Sequence, residues 1–186
     1  MPFHTTDIPG LVVYEPVVFE DNRGYFFEAY NKKIFLNGGV DIEFVQDNQS
    51  FSSYGVIRGL HYQLNPFAQN KLVRVLDGRI LDVAVDIRKG SPFYGKSFSL
   101  ELSSENRKQI LIPTGFAHGF SVLSEKALVI YKCDSFYNKE MDAGIRYNDP
   151  SLRIDWKIPP EKMIISEKDM ALPLLAECKN NFEFRG

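Results

Sequence analysis

Short runs in which apolar and polar residues alternate fill the middle of this chain. In ILDVAVDI (80–87) every second residue is apolar and shares one face, and SFSLELS (97–103) repeats the pattern. A period of two residues is typical of β-strands, whose successive side chains point to opposite faces. Further β-rich runs lie at 71–76 and 127–133, and turn-forming clusters separate the runs at 77–78, 88–95 and 112–116. Short strands with such turns predict an all-β antiparallel sandwich or barrel.

Helical signals are limited to two short segments. Residues 31–39 (NKKIFLNGG) predict a short helix with Asn31 as N-cap and a glycine stop. Residues 166–177 begin with Ser166 as a candidate N-cap and place Asp169 at the third helical position. Pro173 limits or kinks that helix, because proline cannot continue the hydrogen-bonded turn.

Length and charge exclude several classes of protein. The 186 residues predict a single domain spanning 1–186, and the net charge of −2 argues against a nucleic-acid partner. Cys133 and Cys178 form neither a disulfide framework nor a zinc motif. The N-terminus lacks the features of a signal peptide, and no apolar run approaches the roughly 20 residues that span a bilayer. We therefore expect a cytoplasmic protein with reduced thiols and no membrane partner.

Polar residues interrupt three neighbouring strand-like segments. These are QDNQS (46–50), RGLHYQ (58–63) and KLVR (71–74). Burying so many polar groups is costly unless they are paired or face a cavity. A polar-lined barrel interior explains them economically, whereas on an exposed edge sheet the same side chains would simply be solvated.

The chain partly matches the metal motifs of cupin-type barrels, which have HxH followed by a glutamate and then PxGxxH. PTGFAH (113–118) resembles the second motif and ends in His118. In the first motif His61 is present, but Gln63 replaces the second histidine and the next glutamate is Glu101. Two imidazoles alone make a poor site for a transition metal. We therefore predict no bound metal.

A cavity with histidines and no metal can still perform acid–base chemistry. An unperturbed histidine titrates near pH ~6.5 and exchanges protons at cellular pH. It needs an orienting group on its second nitrogen, usually a carboxylate. Spacing does not choose among four candidates, which are Asp82, Asp86, Asp149 and Asp169.

Taken in order, these motifs resemble the dTDP-4-dehydrorhamnose 3,5-epimerase family. The resemblance covers about residues 3 to 178 and rests on RGYFFE (23–28), QDNQS (46–50), RGLHYQ (58–63), VAVDIR (83–88), FAHGF (116–120) and SEKD (166–169), with Tyr131 between the last two. It implies an all-β, cupin-type β-barrel (jelly roll) with a few short peripheral helices. It also implies a homodimer that needs neither metal nor organic cofactor.

The resemblance further implies an isomerase acting on the nucleotide sugar dTDP-4-dehydro-6-deoxy-D-glucose. Such an enzyme inverts C5 and C3, the carbons that flank the C4 ketone, and yields dTDP-4-dehydro-L-rhamnose for rhamnose biosynthesis. The ketone acidifies both α-protons because the resulting carbanion is delocalised onto oxygen. A base removes a proton from one face, and an acid returns one to the other.

Four residues carry this chemistry by resemblance. His61 is the base, Asp169 its partner, Lys71 the cation near the C4 oxygen, and Tyr131 the acid on the opposite face. Each has a plainer interpretation. Asp169 could only cap a helix, Lys71 could extend from a strand edge into solvent, and Tyr131 could be a core residue.

The remaining positions that match the family bind substrate. Arg23 and Arg58 are the cations suited to a diphosphate. The others, also by resemblance, are Glu28, Gln46, Asn48, His118, Lys168 and the stacking candidate Tyr137. Where the family has a glutamate before the GI turn, this chain has Asp142.

Three alternatives remain open from the sequence. The same scaffold could invert only C3 or only C5, or act on another nucleotide-linked 4-keto sugar. The chain could instead be a metal-dependent cupin, but Gln63 stands where a metal-binding histidine is expected. It could also be a sugar-binding cupin without activity, but binding alone does not require a base and an acid. For the dimer, the N-terminal segment with Pro2, Phe3 and Ile8 is a candidate to add a strand to a partner sheet.

Overall fold

The computed structural model describes residues 2–184, which form thirteen β-strands and few short helices. The strands are β1 (Phe3–Thr5), β2 (Val12–Tyr14), β3 (Phe19–Asp21), β4 (Gly24–Phe26), β5 (Gln46–Ser53), β6 (Ile57–Gln63), β7 (Lys71–Asp77), β8 (Arg79–Asp86), β9 (Ser97–Ser103), β10 (Gln109–Ile112), β11 (Phe116–Val122), β12 (Lys126–Cys133) and β13 (Asp142–Gly144). The α-helices are α1 (Lys32–Asn37) and α2 (Glu167–Met170), and single 3₁₀ turns lie at Lys139–Met141 and Pro160–Lys162.

Two antiparallel sheets form the body of the protein. The six-stranded sheet has the order β1-β2-β10-β7-β12-β5, and the five-stranded sheet has the order β13-β6-β11-β8-β9. Strands β7 and β8 are consecutive in the chain but lie in different sheets, so the Asp77–Gly78 turn carries the chain from one sheet to the other. The all-β antiparallel prediction is confirmed.

The alternation along β8 separates two layers of core. Ile80 and Ala84 pack into the layer between the two sheets, together with Val73 of β7 and Val129 of β12. Their neighbours on the other face of β8, such as Val83, pack against the C-terminal part of the chain. Asp82 alternates with Ile80 and Ala84, so its side chain shares their face and points between the sheets. Both faces of β8 are covered, and Asp82 is fully buried.

Helix α1 covers the outer face of the six-stranded sheet. Phe35 packs there against Tyr14, Leu72 and Leu111. The Asn31 side chain accepts hydrogen bonds from the backbone N–H groups at positions 33 and 34, and the helix stops at Gly38, as the sequence predicted.

The N-terminal segment joins the six-stranded sheet of its own chain. Strand β1 pairs with β2 of the same chain, and Ile8 is buried in the layer between the sheets. Strand β1 is the edge strand of the six-stranded sheet, so its role in a dimer stays a prediction, and the β3–β4 hairpin forms a separate two-stranded sheet. Among residues 2–184 no helix has the length and apolar character needed to cross a membrane.

Candidate active site

A cavity of about 290 Å³ opens between the two sheets. Its lining comes from both sheets and from the start of α2, and comprises Ser50, Arg58, His61, Lys71, His118, Gly119, Phe120, Tyr131, Ser166, Lys168 and Asp169. The structure thus brings the four proposed catalytic residues into one space, together with Arg58, His118 and Lys168. Of the polar residues in the three interrupted strands, Ser50, Arg58, His61 and Lys71 line this cavity, whereas Asp47 and Gln49 are exposed on the edge strand β5.

A bulge in β6 lets Arg58 and His61 face the same cavity. Residues three apart in a regular strand point to opposite faces. Here His61 pairs with His118, but Arg58 pairs with Phe120, so two residues of β6, at 59 and 60, oppose the single residue 119 of β11. The extra residue resets the alternation, and both side chains reach the cavity.

Gly59 makes this bulge possible. Its φ is +121°, a backbone angle that residues other than glycine rarely adopt. A Cβ at this position would also lie 2.5 Å from Gly119 Cα and 2.7 Å from the His118 carbonyl oxygen. Its backbone N–H also donates to Asp169 Oδ2 at 3.2 Å. Gly59 therefore packs closely against Gly119, and its N–H ties the bulge to the Asp169 carboxylate.

His61 and Asp169 form a hydrogen-bonded pair, with His61 Nε2 lying 2.7 Å from Asp169 Oδ1. A carboxylate accepts, so Nε2 carries the proton and Nδ1 is the free nitrogen. Ser166 caps α2 by accepting from the Asp169 N–H, as predicted, and the helix ends before Pro173. Asp169 therefore contributes its backbone to the cap and its carboxylate to His61, so the two interpretations of this residue are compatible.

Burial alone would raise the pKa of the Asp169 carboxyl. The hydrogen bond and charge of His61 and the N–H of Gly59 outweigh burial and hold that pKa below its ordinary value. Asp169 is therefore ionised at neutral pH. It orients the imidazole and would stabilise the positive charge formed when His61 takes up a proton.

Lys71 and Tyr131 reach the cavity from the other sheet. The Lys71 Nζ lies 5.8 Å from the centre of the Tyr131 ring. Burial lowers the pKa of Lys71, while Cys133, Asp142 and Asp82 oppose that change. Burial raises the pKa of Tyr131, so its phenol stays protonated at neutral pH and can serve as an acid.

His118 pairs with the second candidate carboxylate, Asp82. The distance from His118 Nε2 to Asp82 Oδ2 is 2.8 Å, and both side chains are buried. The other two candidates serve the scaffold. Asp86 forms an ion pair with Arg88, and Asp149 accepts from the N–H of Leu175.

Gln63, which replaces a histidine in the metal motif, is bound by backbone groups. Its Nε2 donates to the carbonyls of Phe67 and Phe136, and its Oε1 accepts from the N–H of Asn138. Over the described part of the chain, no three His, Cys, Asp or Glu side chains are grouped so that they could hold a metal ion.

The mouth of the cavity carries cations. Arg58 Nε donates to Ser52 Oγ, while Lys168 Nζ lies 2.5 Å from Asp142 Oδ2. Tyr137 also donates to Asp142 at 3.3 Å. Asp142 thus joins Tyr137 and Lys168 in one hydrogen-bonded group, although it is shorter than the family's glutamate.

Gln46 and Asn48 lie on β5 and bond to each other through Gln46 Nε2 and Asn48 Oδ1. Gln46 Oε1 also accepts from the backbone N–H of Tyr137, which ties this strand to the mouth of the cavity. Asn48 donates to the Cys133 thiol at the end of β12. These two amides therefore lie on the mouth side of the six-stranded sheet.

Arg23 and Glu28 lie away from the cavity of their own chain. Arg23 is in the turn of the β3–β4 hairpin and pairs with Asp21. The backbone at Glu28 accepts from Tyr14, which packs on the outer face of the six-stranded sheet. Since Lys71 and Tyr131 point from that sheet's inner face, the structure does not bring Arg23 and Glu28 together with the other site residues.

Several residues of the lining were not predicted from the sequence. Ser50 is one of them, and its Oγ is buried without a hydrogen-bond partner among the residues described. Its inward direction follows from the alternation of β5, in which every second side chain is shielded. The lining by Gly119 and Phe120 depends on the register between β6 and β11, for which the sequence carries no local signal.

Known proteins resemble this chain over nearly its whole length. A family profile described as dTDP-4-dehydrorhamnose 3,5-epimerase matches residues 5–177. Proteins of that name from Shigella flexneri and Methanothermobacter thermautotrophicus are 51% and 49% identical to it. The first alignment covers 89% of this chain and 91% of the relative, and the second covers 90% of each.

Solved structures agree with these relatives. The epimerase of the same name from Elizabethkingia anophelis superposes with a TM-score of 0.89 at 52% identity, over 94% of this chain and 96% of that one. A dTDP-6-deoxy-D-glucose-3,5-epimerase from Legionella pneumophila, solved in complex with dTDP-4-keto-L-rhamnose, gives 0.90 at 46% identity over 94% and 93%.

The fold and the cavity define a cupin-type jelly-roll barrel with acid–base groups facing each other across its interior, and this confirms the predicted fold class. The matched profile and the relatives then place the chain within that class. It belongs to the dTDP-4-dehydrorhamnose 3,5-epimerase family, whose members are isomerases.

Proposed function

We propose that this protein epimerises dTDP-4-dehydro-6-deoxy-D-glucose at C5 and C3 to give dTDP-4-dehydro-L-rhamnose. The observation that carries the proposal is the facing arrangement of the cavity. His61, paired with Asp169 of α2, stands on the wall formed by the five-stranded sheet, and Tyr131 and Lys71 stand on the wall formed by the six-stranded sheet. Inversion of a carbon needs a base and an acid on opposite sides.

In the first step His61 Nδ1 accepts the proton from C5. The C–H electron pair is delocalised through C4 onto the ketone oxygen, forming an enolate. The Lys71 ammonium stabilises the negative oxygen, and such stabilisation in a water-poor site is usually the largest catalytic contribution. Asp169 balances the charge of the imidazolium that forms.

In the second step Tyr131 donates its phenolic proton to C5 from the opposite face. The ketone is restored with inverted configuration, leaving a tyrosinate and an imidazolium. Proton exchange with solvent returns both groups to their starting states. The same cycle at C3 completes the reaction without any redox change or cofactor.

The cavity suits the sugar rather than the whole nucleotide. Its volume of about 290 Å³ is close to the lower limit of small-molecule sites, roughly 300 Å³. Arg58 and Lys168 at the mouth suit the diphosphate, and Tyr137, half exposed beside them, suits stacking on the base. Gln46, Asn48, His118 and Asp142 complete the proposed substrate-binding set around the mouth and walls.

A homodimer is part of this proposal. The β3–β4 hairpin carries Arg23 and exposes Phe19 and Phe26 by 62% and 65%. Exposed aromatic residues on an isolated hairpin are typical of an interface. A second copy that covers this hairpin would bring Arg23 and Glu28 to the nucleotide end of a neighbouring cavity.

We also propose that residues 1–186 act as one domain, since both sheets contribute to one cavity. A cytoplasmic location accords with Cys133 and Cys178, which are both free thiols.

The deciding experiment follows the substrate in D₂O by NMR. We expect deuterium at both C3 and C5 and accumulation of dTDP-4-dehydro-L-rhamnose, which a coupled reductase traps. Incorporation at one carbon would identify a mono-epimerase, and no incorporation would reject the mechanism. Pretreatment with a chelator tests the metal-dependent alternative, and we expect it to leave the rate unchanged.

A further inference from the structure

His118 and Asp82 form a second histidine–carboxylate pair in the same cavity. Their side chains are 8% and 0% exposed, and the Nε2–Oδ2 distance is 2.8 Å. His118 on β11 is the direct register partner of His61 on β6, so the two histidines stand side by side on one wall. Proton transfer between His61 and Tyr131 does not use this second pair.

The two carboxylates differ in their other hydrogen bonds. Asp169 Oδ2 accepts from the Gly59 N–H, so a donor other than its histidine stabilises the charge. Asp82 Oδ1 is buried and has no hydrogen-bond partner within residues 2–184. Asp82 is flanked in the neighbouring strands by the apolar residues Phe120 and Leu100. A carboxylate charge in such surroundings is costly unless a counter-charge neutralises it.

One proton more than an ionised aspartate with a neutral histidine would make the buried His118–Asp82 pair electrically neutral. That proton can produce an imidazolium beside a carboxylate, or a neutral imidazole beside a carboxylic acid. In both arrangements one proton lies between Nε2 and the carboxyl, and the other sits on Nδ1. The free nitrogen of His118 is then a donor, whereas the free nitrogen of His61 accepts.

We propose that Asp82 is a positioning residue that keeps Nδ1 of His118 protonated, so that His118 donates a hydrogen bond to the substrate oxygen that becomes negative in the enolate. This inference rests on the proposed function. The titratable groups that line the cavity with His118 are Lys71 and Tyr131 from the opposite sheet, His61 on the adjacent strand, and Asp169 and Lys168 from α2. Arg58 also reaches the cavity, from β6.

Asp82 also acts on Lys71. Burial lowers the pKa of Lys71, and Asp82 is one of the groups that oppose this and favour the charged ammonium. One buried carboxylate thus supports two donors, His118 on one wall of the cavity and Lys71 on the other, while Asp169 supports the base.

The first test is Asp82→Asn, which keeps the size of the side chain and an acceptor for Nε2–H but removes the charge. His118 then presents a lone pair to the enolate. We expect kcat to fall about 10²-fold, as for loss of one oxyanion donor, with KM changed less than about threefold. Deuterium incorporation at C3 and C5 should fall together, because both enolates use the same oxygen.

Asp86→Asn is the matched control. Asp86 is also a fully buried carboxylate on β8, but it pairs with Arg88 outside the cavity. We expect it to lower the melting temperature while kcat is retained. A kcat for Asp82→Asn within twofold of wild type would overturn the proposal.

The second test is read from the wild-type protein. The chain has three histidines, so ¹⁵N-histidine labelling gives a simple ring-nitrogen spectrum, assigned with single His variants. In the wild-type protein saturated with dTDP at neutral pH, we expect a protonated Nδ1 on His118. An unprotonated Nδ1 there would overturn the inference. Failure of the wild-type protein to epimerise would instead reject the proposed function, since the spectrum needs no turnover.

Discussion

His61 Nε2 lies 2.7 Å from Asp169 Oδ1, although 108 positions separate the two residues in the chain. The histidine is placed by the bulge of β6, and the carboxylate by the cap of α2. Asp169 contacts the bulge at two points: Oδ1 lies beside His61, and Oδ2 accepts from the N–H of Gly59. A change at any of these three residues should therefore alter the base.

Replacing His61 by alanine should nearly abolish proton exchange. General-base catalysis contributes roughly 10²–10⁴-fold, so deuterium incorporation at C3 and C5 should fall by at least about 10². Binding of dTDP, measured by calorimetry, should persist because Arg58 and Lys168 are unchanged. Exchange at the wild-type rate would remove His61 from the base role.

Replacing Asp169 by asparagine should make the stability of the folded protein change less as the pH falls into the acid range. The pKa of this carboxyl lies below its ordinary value of ~3.9 in the folded protein and returns to that value on unfolding. A lowered pKa gives stability that is present above about pH 4 and is lost as the pH falls through the folded value. The difference in melting temperature between wild type and Asp169→Asn should therefore shrink from about pH 6 to pH 3.

The control for this prediction is Asp155→Asn. Asp155 also has a lowered pKa, through the hydrogen bond from Lys157, but its side chain is 70% exposed. Exposed ion pairs contribute little, so its melting curve should follow the wild type at each pH. Equal effects of the two variants would contradict a special role for the buried pair.

Replacing Tyr131 by phenylalanine should separate deprotonation from inversion. The variant lacks the acid on the opposite wall but keeps His61, Asp169 and Lys71. Substrate should still exchange its α-protons for deuterium through His61, while the formation of inverted product falls by roughly 10²-fold or more. NMR reports both quantities in one sample, and an equal loss of both would show that the division of roles is wrong.

Local patterns in the sequence predicted much of this fold. Caps such as Asn31 and Ser166 act within one helical turn, so spacing alone identified both helices. The alternation around Asp82 likewise indicated that this residue shares a face with Ile80 and Ala84. None of these features depends on distant parts of the chain.

The rest of the site depends on register between strands. The sequence does not contain the pairing of Arg58 with Phe120 that resets β6, because it requires two glycines to meet across strands. The choice of Asp82 for His118 and of Asp169 for His61 has the same origin. Spacing left four aspartates equal. The family resemblance indicated Asp169 for His61, and the packed structure assigns Asp82 to His118.

Replacing Gly59 by alanine should disrupt the bulge. The new Cβ would contact the backbone of Gly119 and His118, and strain and overpacking each cost roughly 1–3 kcal/mol. We expect loss of more than roughly 2 kcal/mol in urea unfolding, together with loss of epimerase activity. Gly90→Ala is the control, since Gly90 has a φ of +82° but a Cβ at that position would meet no atom within 4 Å. It should cost only about 1 kcal/mol and retain activity.

Mixed dimers should show whether Arg23 serves the partner's cavity. Arg23→Ala and His61→Ala variants should each be weakly active at low substrate concentration. In a dimer of one subunit of each kind, the cavity with an intact His61 would receive Arg23 from the other subunit. Random reassortment gives half mixed dimers with one complete site of two, so activity should rise to about a quarter of wild type. If the mixture stays at the level of the separate variants, Arg23 acts within its own chain or not at all.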